Sequence, residues 1–165
     1  MDGSGAPGKE SWRFLYRTDA GRIDAPTWRR GAVFLAAVLA LLTLVLWYAL
    51  PFAHHDLRTT PLLSVSALAA NLYVVVYSFA LILIGICYYN LSAKRWRDIG
   101  RPAALAGVLP LLVLLAGALH WLAAQTGIVA ISHMLVTIAD IGVVIVAAWN
   151  AVELGGLIPA ARRHD

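Results

Sequence analysis

The chain has 165 residues, of which 61% are hydrophobic and 13% charged, with 13 Lys and Arg against 9 Asp and Glu for a net charge of +4. Soluble domains are roughly 45–50% apolar and about 25% charged, so this composition excludes an ordinary soluble enzyme, and its apolar content also excludes a disordered chain. A single cysteine excludes a disulfide framework or a cysteine-rich metal centre. What remains is an all-α, polytopic membrane protein.

In chain order, residues 1–30 form a polar and basic tail. Trp12, Leu15 and Tyr16 fall at i, i+3, i+4, with Arg13 and Arg17 on another side. That spacing predicts a short amphipathic helix lying on the membrane surface, aromatics in the lipid and arginines at the headgroups. Gly21 is expected to end it, and Asp24 to cap the next helix, with Pro26 tolerated in its first turn. A first apolar segment that follows such a tail reads as an anchor rather than a cleaved signal.

A helix needs about 20 apolar residues to cross the hydrocarbon core. Four stretches qualify, at about 31–50, 63–89, 103–124 and 128–151. They lack the alternation of barrel strands, and backbone in lipid must satisfy its own hydrogen bonds, so four transmembrane helices are predicted within residues 31–152. Residues 153–165 form a second tail. Pro110 is expected to kink the third helix and free the Ala106 carbonyl. Cys87, in an apolar run, reads as a small packing residue. Trp47, Tyr48, Tyr88, Tyr89, Trp121 and Trp149 lie near helix ends, as an interfacial aromatic belt requires.

Orientation follows the distribution of Lys and Arg. The N-terminal tail carries six, the second connection four and the C-terminal tail two, while the first connection has only Arg58 and the third none. Both termini are expected in the cytoplasm.

Three groups could carry chemistry. Asp140 is the only acid in the four apolar stretches, and an ionisable group there is by default a functional hypothesis. His133, Thr137 and Asp140 fall at i, i+4, i+7 and mark one polar stripe, either an ion half-path or an interhelical hydrogen-bonding face. On the same depth estimate Tyr73, Tyr77 and Ser78 are its polar neighbours, with nothing polar from the first and third helices. His120 and His133 lie at equal depth across a short turn and are the candidate pair for a metal or haem iron; no acid stands near them to orient the rings, and no H-E-x-x-H pattern is present. The densest cluster is the inner connection, Lys94-Arg95-Trp96-Arg97-Asp98-Ile99-Gly100-Arg101. Four cations and a Trp at an interface suit anionic headgroups, although topology alone also explains the charges. Asp98 would pair with a neighbouring cation or cap the third helix, and Gly100 would turn the chain. Neither a nucleophilic set nor a phosphate loop is visible.

These cytoplasmic segments resemble a bacterial inner-membrane family, the domain of unknown function 805. Trp12 to Tyr16, Gly21-Arg22-Ile23 and Trp28 look like its aromatic and basic lead. Lys94, Arg95, Asp98 and Gly100 are similar to its R-R-x-H-D-x-G hallmark, and Trp149 to Gly155 to its final helix exit. The likeness runs over about residues 12–156. Arg97 stands where the family has His, and the family's N-R-[YF]-G-P-D-P tail is absent. The resemblance implies four cytoplasmically anchored helices and brings no reaction with it.

The expectation is a non-enzymatic accessory or scaffold subunit of a bacterial cytoplasmic membrane, with no cofactor and no nucleic-acid partner. Its basic inner face would bind anionic lipid, or a partner in a larger membrane complex, through Arg22, Lys94, Arg95, Arg97, Asp98 and Arg101. The competing expectation is a small transporter or ion path using His133, Thr137 and Asp140. A metal or haem protein using His120 and His133 is the third.

Overall fold

The structure is a computed structural model, which describes residues 11–53, 64–126 and 129–157. In order the elements are α1 (Trp12–Arg17), α2 (Ala25–Ala53), α3 (Val65–Asp98), a 3-10 turn (Ala103–Gly107), α4 (Val108–Thr126) and α5 (Val129–Gly155), and no strand occurs among the described residues. Four segments are long and apolar enough to cross a membrane: Ala25–Ala53, Val65–Asp98, Ala103–Ala123 and His133–Gly155. Their flanks leave large apolar side chains such as Leu44, Leu83, Leu111 and Ile145 uncovered. That pattern suits hydrocarbon, where apolar side chains gain nothing from hiding against each other.

The helices form two antiparallel hairpins, α2–α3 and α4–α5. The main cluster of buried side chains among the described residues lies at one end, where α1, the last turns of α3 and the end of α5 converge. We term this the basic end. Its core contains Tyr16, Ile23, Trp28, Leu35, Leu91, Ala93, Trp96, Ala106 and Leu154.

Local chemistry explains the boundaries. The Thr27 N–H donates to Asp24 Oδ1 at 3.0 Å, so Asp24 caps α2 as the sequence predicts. By contrast, α1 stops at Arg17 and not at Gly21: Thr18 is extended, and its hydroxyl donates back to the Phe14 carbonyl at 3.1 Å. Gly21 instead turns the chain with a φ of +96°, a conformation open to glycine. Helix α3 runs on through the basic connection to Asp98, because no Gly or Pro interrupts residues 86–99. It ends in a Schellman turn at Gly100 (φ +75°), with Arg101 N–H to the Trp96 carbonyl at 2.9 Å and Gly100 N–H to the Arg97 carbonyl at 3.2 Å. The four cations expected on a loop therefore occupy a helix end and its cap. Gly156 (φ +63°) closes α5 in the same manner.

Pro110 does not kink a continuous third helix. The 3-10 turn precedes it and α4 begins only at Val108, so Pro110 sits in a first turn, where its missing N–H has no intrahelical partner to lose.

Candidate functional site

Isolated helices shorter than about 12–15 residues are marginal in water, so the six-residue α1 needs tertiary support. Its orphan C-terminal carbonyls receive it from α3. Lys94 has 0% exposure, and its ammonium donates to the Phe14 carbonyl and, at 3.0 Å, to that of Leu15. The same nitrogen lies 4.4 Å from the Phe14 ring centre. Asn90 Nδ2 donates to the Tyr16 carbonyl at 2.8 Å. A cation at a helix C-terminus is also favoured by the helix dipole.

The segment after α1 is held in turn. Arg97 donates to the Asp19 carbonyl and, at 2.9 Å, to its carboxylate. That hydrogen bond holds the Asp19 carboxyl below its ordinary value. The Thr27 contacts lower Asp24 likewise. Tyr16 donates to the Gly31 carbonyl at 3.3 Å, and burial pushes its phenol up. Tyr16 thus faces protein rather than lipid, while Trp12 remains exposed. The amphipathic segment forms as predicted, but it is docked on α2 and α3.

Two more cations of this cluster join the hairpins. Arg95 Nε donates to the Leu154 carbonyl of α5 at 3.0 Å, and its guanidinium pairs with Asp98. Arg101 pairs with Glu153 at 3.2 Å. The Trp96 ring packs on Trp149 with centroids 5.1 Å apart. Trp149, Tyr88 and Tyr89 consequently belong to the basic-end packing. Trp47, Tyr48 and Trp121 at the opposite end stay exposed, as a belt would.

The surface expected for lipid or partner contact is therefore distributed differently. Lys94 is interior and Arg95 largely covered, so neither is presented to a headgroup. Arg97 and Arg101 are partly exposed, each already paired with a carboxylate, and Asp98 answers Arg95 rather than capping α4. Of the six expected residues only Arg22 is exposed and without an ion pair among the described residues. Arg13, Arg17, Arg29 and Arg30 share that condition. Sequence reasoning placed Arg13 and Arg17 at the headgroups but counted Arg29 and Arg30 for topology alone and missed them as part of a site. Beside them, Trp12, Leu15, Tyr16, Thr27, Arg30 and Phe34 line a cavity of about 270 Å³ between α1 and α2. The available signal was Arg30 and Phe34, one helical turn apart and facing the Trp12 side of α1; the Trp12 and Phe34 rings meet edge-on at 5.1 Å.

In the second hairpin His120 Nε2 lies 3.2 Å from both carboxylate oxygens of Asp140. This corrects the expectations that the third helix offers Asp140 nothing polar and that no acid stands near His120. Side chains lean toward the N-terminus of their own helix. His120 on α4 therefore leans toward the basic end and Asp140 on the antiparallel α5 leans away from it, so the two converge despite their different backbone depths. The Thr137 hydroxyl donates to the His133 carbonyl within α5 at 2.8 Å. Tyr73 and Tyr77 belong to the first hairpin instead: Tyr73 donates to the Leu42 carbonyl at 2.7 Å and Tyr77 lies 3.0 Å from Thr43 Oγ1. No cluster of three or more metal-ligating side chains occurs among the described residues.

Between α2, α3 and α5 at the basic end lies a smaller polar set. Trp28 Nε1 donates to Ser92 Oγ at 3.2 Å, and the Tyr88 hydroxyl lies beside Ser92 and Asn150. Asn150 is fully buried, and neither its amide nitrogen nor its oxygen completes a hydrogen bond among the described residues; the same holds for Trp96 Nε1.

No protein-family model, curated protein or solved structure matches the chain. Its own geometry carries the functional reading.

Proposed function

We propose that this chain is a non-enzymatic accessory or scaffold subunit of a bacterial cytoplasmic membrane, its basic end and both termini on the cytoplasmic side. The observation that carries this reading is the division of labour among the cations. Lys94, Arg95, Arg97 and Arg101 hold the protein's own segments together, which leaves Arg13, Arg17, Arg22, Arg29 and Arg30 exposed on a platform fixed in place. Each such cation near an anionic surface contributes about 1 kcal/mol. The Arg30 cavity, flanked by Trp12 and Phe34, suits an anionic headgroup or an acidic segment of a membrane partner.

Mass spectrometry of the protein extracted with its surrounding lipid into native nanodiscs tests this. Enrichment of anionic lipid or of a stoichiometric protein partner is expected, and R13Q/R17Q/R29Q/R30Q should remove it while the fold persists. Bulk lipid composition around the wild-type protein, with no partner, would overturn the proposal.

The ion-path reading retains one supporting observation, the His120–Asp140 pair about half exposed within the apolar spans. Toward the basic end, however, α5 continues through Ile141 to Ala148 without a titratable side chain. Proton, Na⁺ or K⁺ flux into vesicles that Asp140→Asn abolishes would favour it over the scaffold; wild-type flux equal to that of empty vesicles would remove it.

A further inference from the structure

The cleft between the hairpins, about 640 Å³, has walls from all four membrane helices, and its lining is apolar. Each wall meets a polar side chain when it is followed away from the basic end. Ala32, Ala36 and Leu39 of α2 line the cleft, and Thr43 continues that face. On α3, Leu81 and Ile84 line it, and Tyr77 lies four and seven residues before them. On α4, Val113 leads to His120 at i+7. On α5, Ala147 and Val143 lead back to Asp140, seven and three residues earlier. Steps of three, four and seven keep to one helix face.

The four residues also share one depth. A Cβ on Gly155 would lie 3.8 Å from the Trp28 ring, and one on Gly85 would lie 3.8 Å from Pro110. Those contacts set the register between the hairpins. Counting outward, Thr43 is fifteen residues beyond Trp28 and Asp140 fifteen before Gly155, while Tyr77 is eight before Gly85 and His120 ten after Pro110. The last difference is about 3 Å of helix rise. It is offset because Tyr77 leans away from the basic end and His120 toward it. Each helix thus contributes one polar side chain to a single layer inside the apolar spans.

The layer is only half satisfied. Its hydrogen bonds stay within each hairpin, Thr43 with Tyr77 and His120 with Asp140, and His120 and Asp140 remain 59% and 51% exposed. One ring nitrogen of His120 faces both carboxylate oxygens, which leaves the other ring nitrogen and most carboxylate lone pairs open. Hydrocarbon offers these groups no partner, and ionisable side chains at such depth turn to the bundle interior. Across that interior stands Tyr77. The Thr43 hydroxyl donates to the Leu39 carbonyl at 2.8 Å, so in its 3.0 Å contact with Tyr77 it accepts and the phenol donates. The phenol can therefore change partner without disturbing either helix, and a carboxylate is a stronger acceptor than a hydroxyl.

We infer that the hairpins have a second, closed arrangement, in which the Tyr77 hydroxyl leaves Thr43 and donates to Asp140 across the cleft. The exchange latches the hairpins together inside the membrane, with the basic end as the hinge. It uses none of the platform arginines and does not depend on them.

Pulsed dipolar distance measurement in nanodiscs tests this, on the full chain carrying Cys87→Ala with spin labels on Leu72→Cys and Met134→Cys, both at exposed positions. A shorter and a longer population are expected. Tyr77→Phe, which deletes only the hydroxyl, should lower the ratio of short to long roughly threefold or more, as expected for one interhelical hydrogen bond in a membrane. Asp140→Leu should do the same, and the double variant should go no further than the stronger single one, because both remove one contact. Thr43→Val removes the competing acceptor and should raise the ratio. A single long population, a ratio unaltered by Tyr77→Phe, or additive effects of Tyr77→Phe and Asp140→Leu would overturn the inference. So would a dipolar signal from protein labelled at position 134 alone, since a second copy would then be covering the His120–Asp140 pair.

Discussion

A lysine with no exposed surface is an unusual anchor, because its ammonium must replace water with hydrogen bonds of its own. Lys94 does so on the last turn of α1, and the helix in turn has its carbonyls answered by Lys94 and Asn90. Lys94→Met removes two charge-assisted hydrogen bonds, each of about 1.5–3 kcal/mol. Because α1 is too short to stand alone, the expected result is undocking rather than global unfolding. Trypsin should then cut after Arg13 and Arg17 several times faster than in the wild type, with the melting temperature of the membrane helices little changed; equal cleavage would show that Lys94 does not hold α1. The Asp19–Arg97 pair adds a pH dependence. Asp19 titrates below its ordinary value of about 3.9, so its contribution is complete above that value and is lost as pH falls through the lowered one. Hydrogen-exchange protection factors over residues 12–19 should hold from neutrality to about pH 4 and fall in stronger acid. Asp19→Asn should give low protection throughout, with that acid step removed. Asp24 responds in the same window, but its loss would be read at the start of α2, which separates the two carboxylates.

At the scale of elements, the close approach of α2 to α3 rests on Gly31. A Cβ there would lie 2.9 Å from Leu91 Cδ2 and 3.1 Å from the Tyr16 hydroxyl, and Leu91 is fully buried and has nowhere to retreat. Replacing glycine within a helix gains up to about 1 kcal/mol of propensity, whereas overpacking a filled site costs about 1–3 kcal/mol. Gly31→Leu adds four carbons to this contact, so sterics win and denaturant-induced unfolding should shift to lower concentration; an unchanged midpoint would mean that the basic end is loosely packed. The four spans were legible because twenty-residue apolar runs admit few other structures in lipid. Caps were legible too, since Asp24 and Gly100 act on backbone a few residues away. The docking of α1 was not. Lys94 meets Phe14 across 80 positions of sequence, and no local periodicity distinguishes a cation aimed at a distant carbonyl from one aimed at a headgroup. The His120–Asp140 contact was hidden for a related reason: matching backbone depths ignores the lean of side chains in antiparallel helices.

For the molecule as a whole, lipid provides no hydrophobic drive between helices, so contacts of other kinds must join the two hairpins. Among the described residues the hydrogen bonds, ion pairs and ring contacts between them all gather at the basic end: Arg95 with Leu154, Arg101 with Glu153, and Trp96 with Trp149. Each hairpin closes its own far half, one through Tyr73 and Tyr77 and the other through His120 and Asp140. The consequence is a pair of clasps hinged at one end, with an apolar cleft between them. Spin labels at the exposed positions Leu72 and Met134, far from the basic end, should give a broad distance distribution, whereas labels at Arg29 and Ala151 should give a narrow one. Trp149→Ala removes a ring contact of about 0.5–1.5 kcal/mol beyond its buried area and should broaden the second distribution without changing the first. Two equally narrow distributions would mean that the hairpins are locked along their whole length, and the hinged arrangement would have to be abandoned.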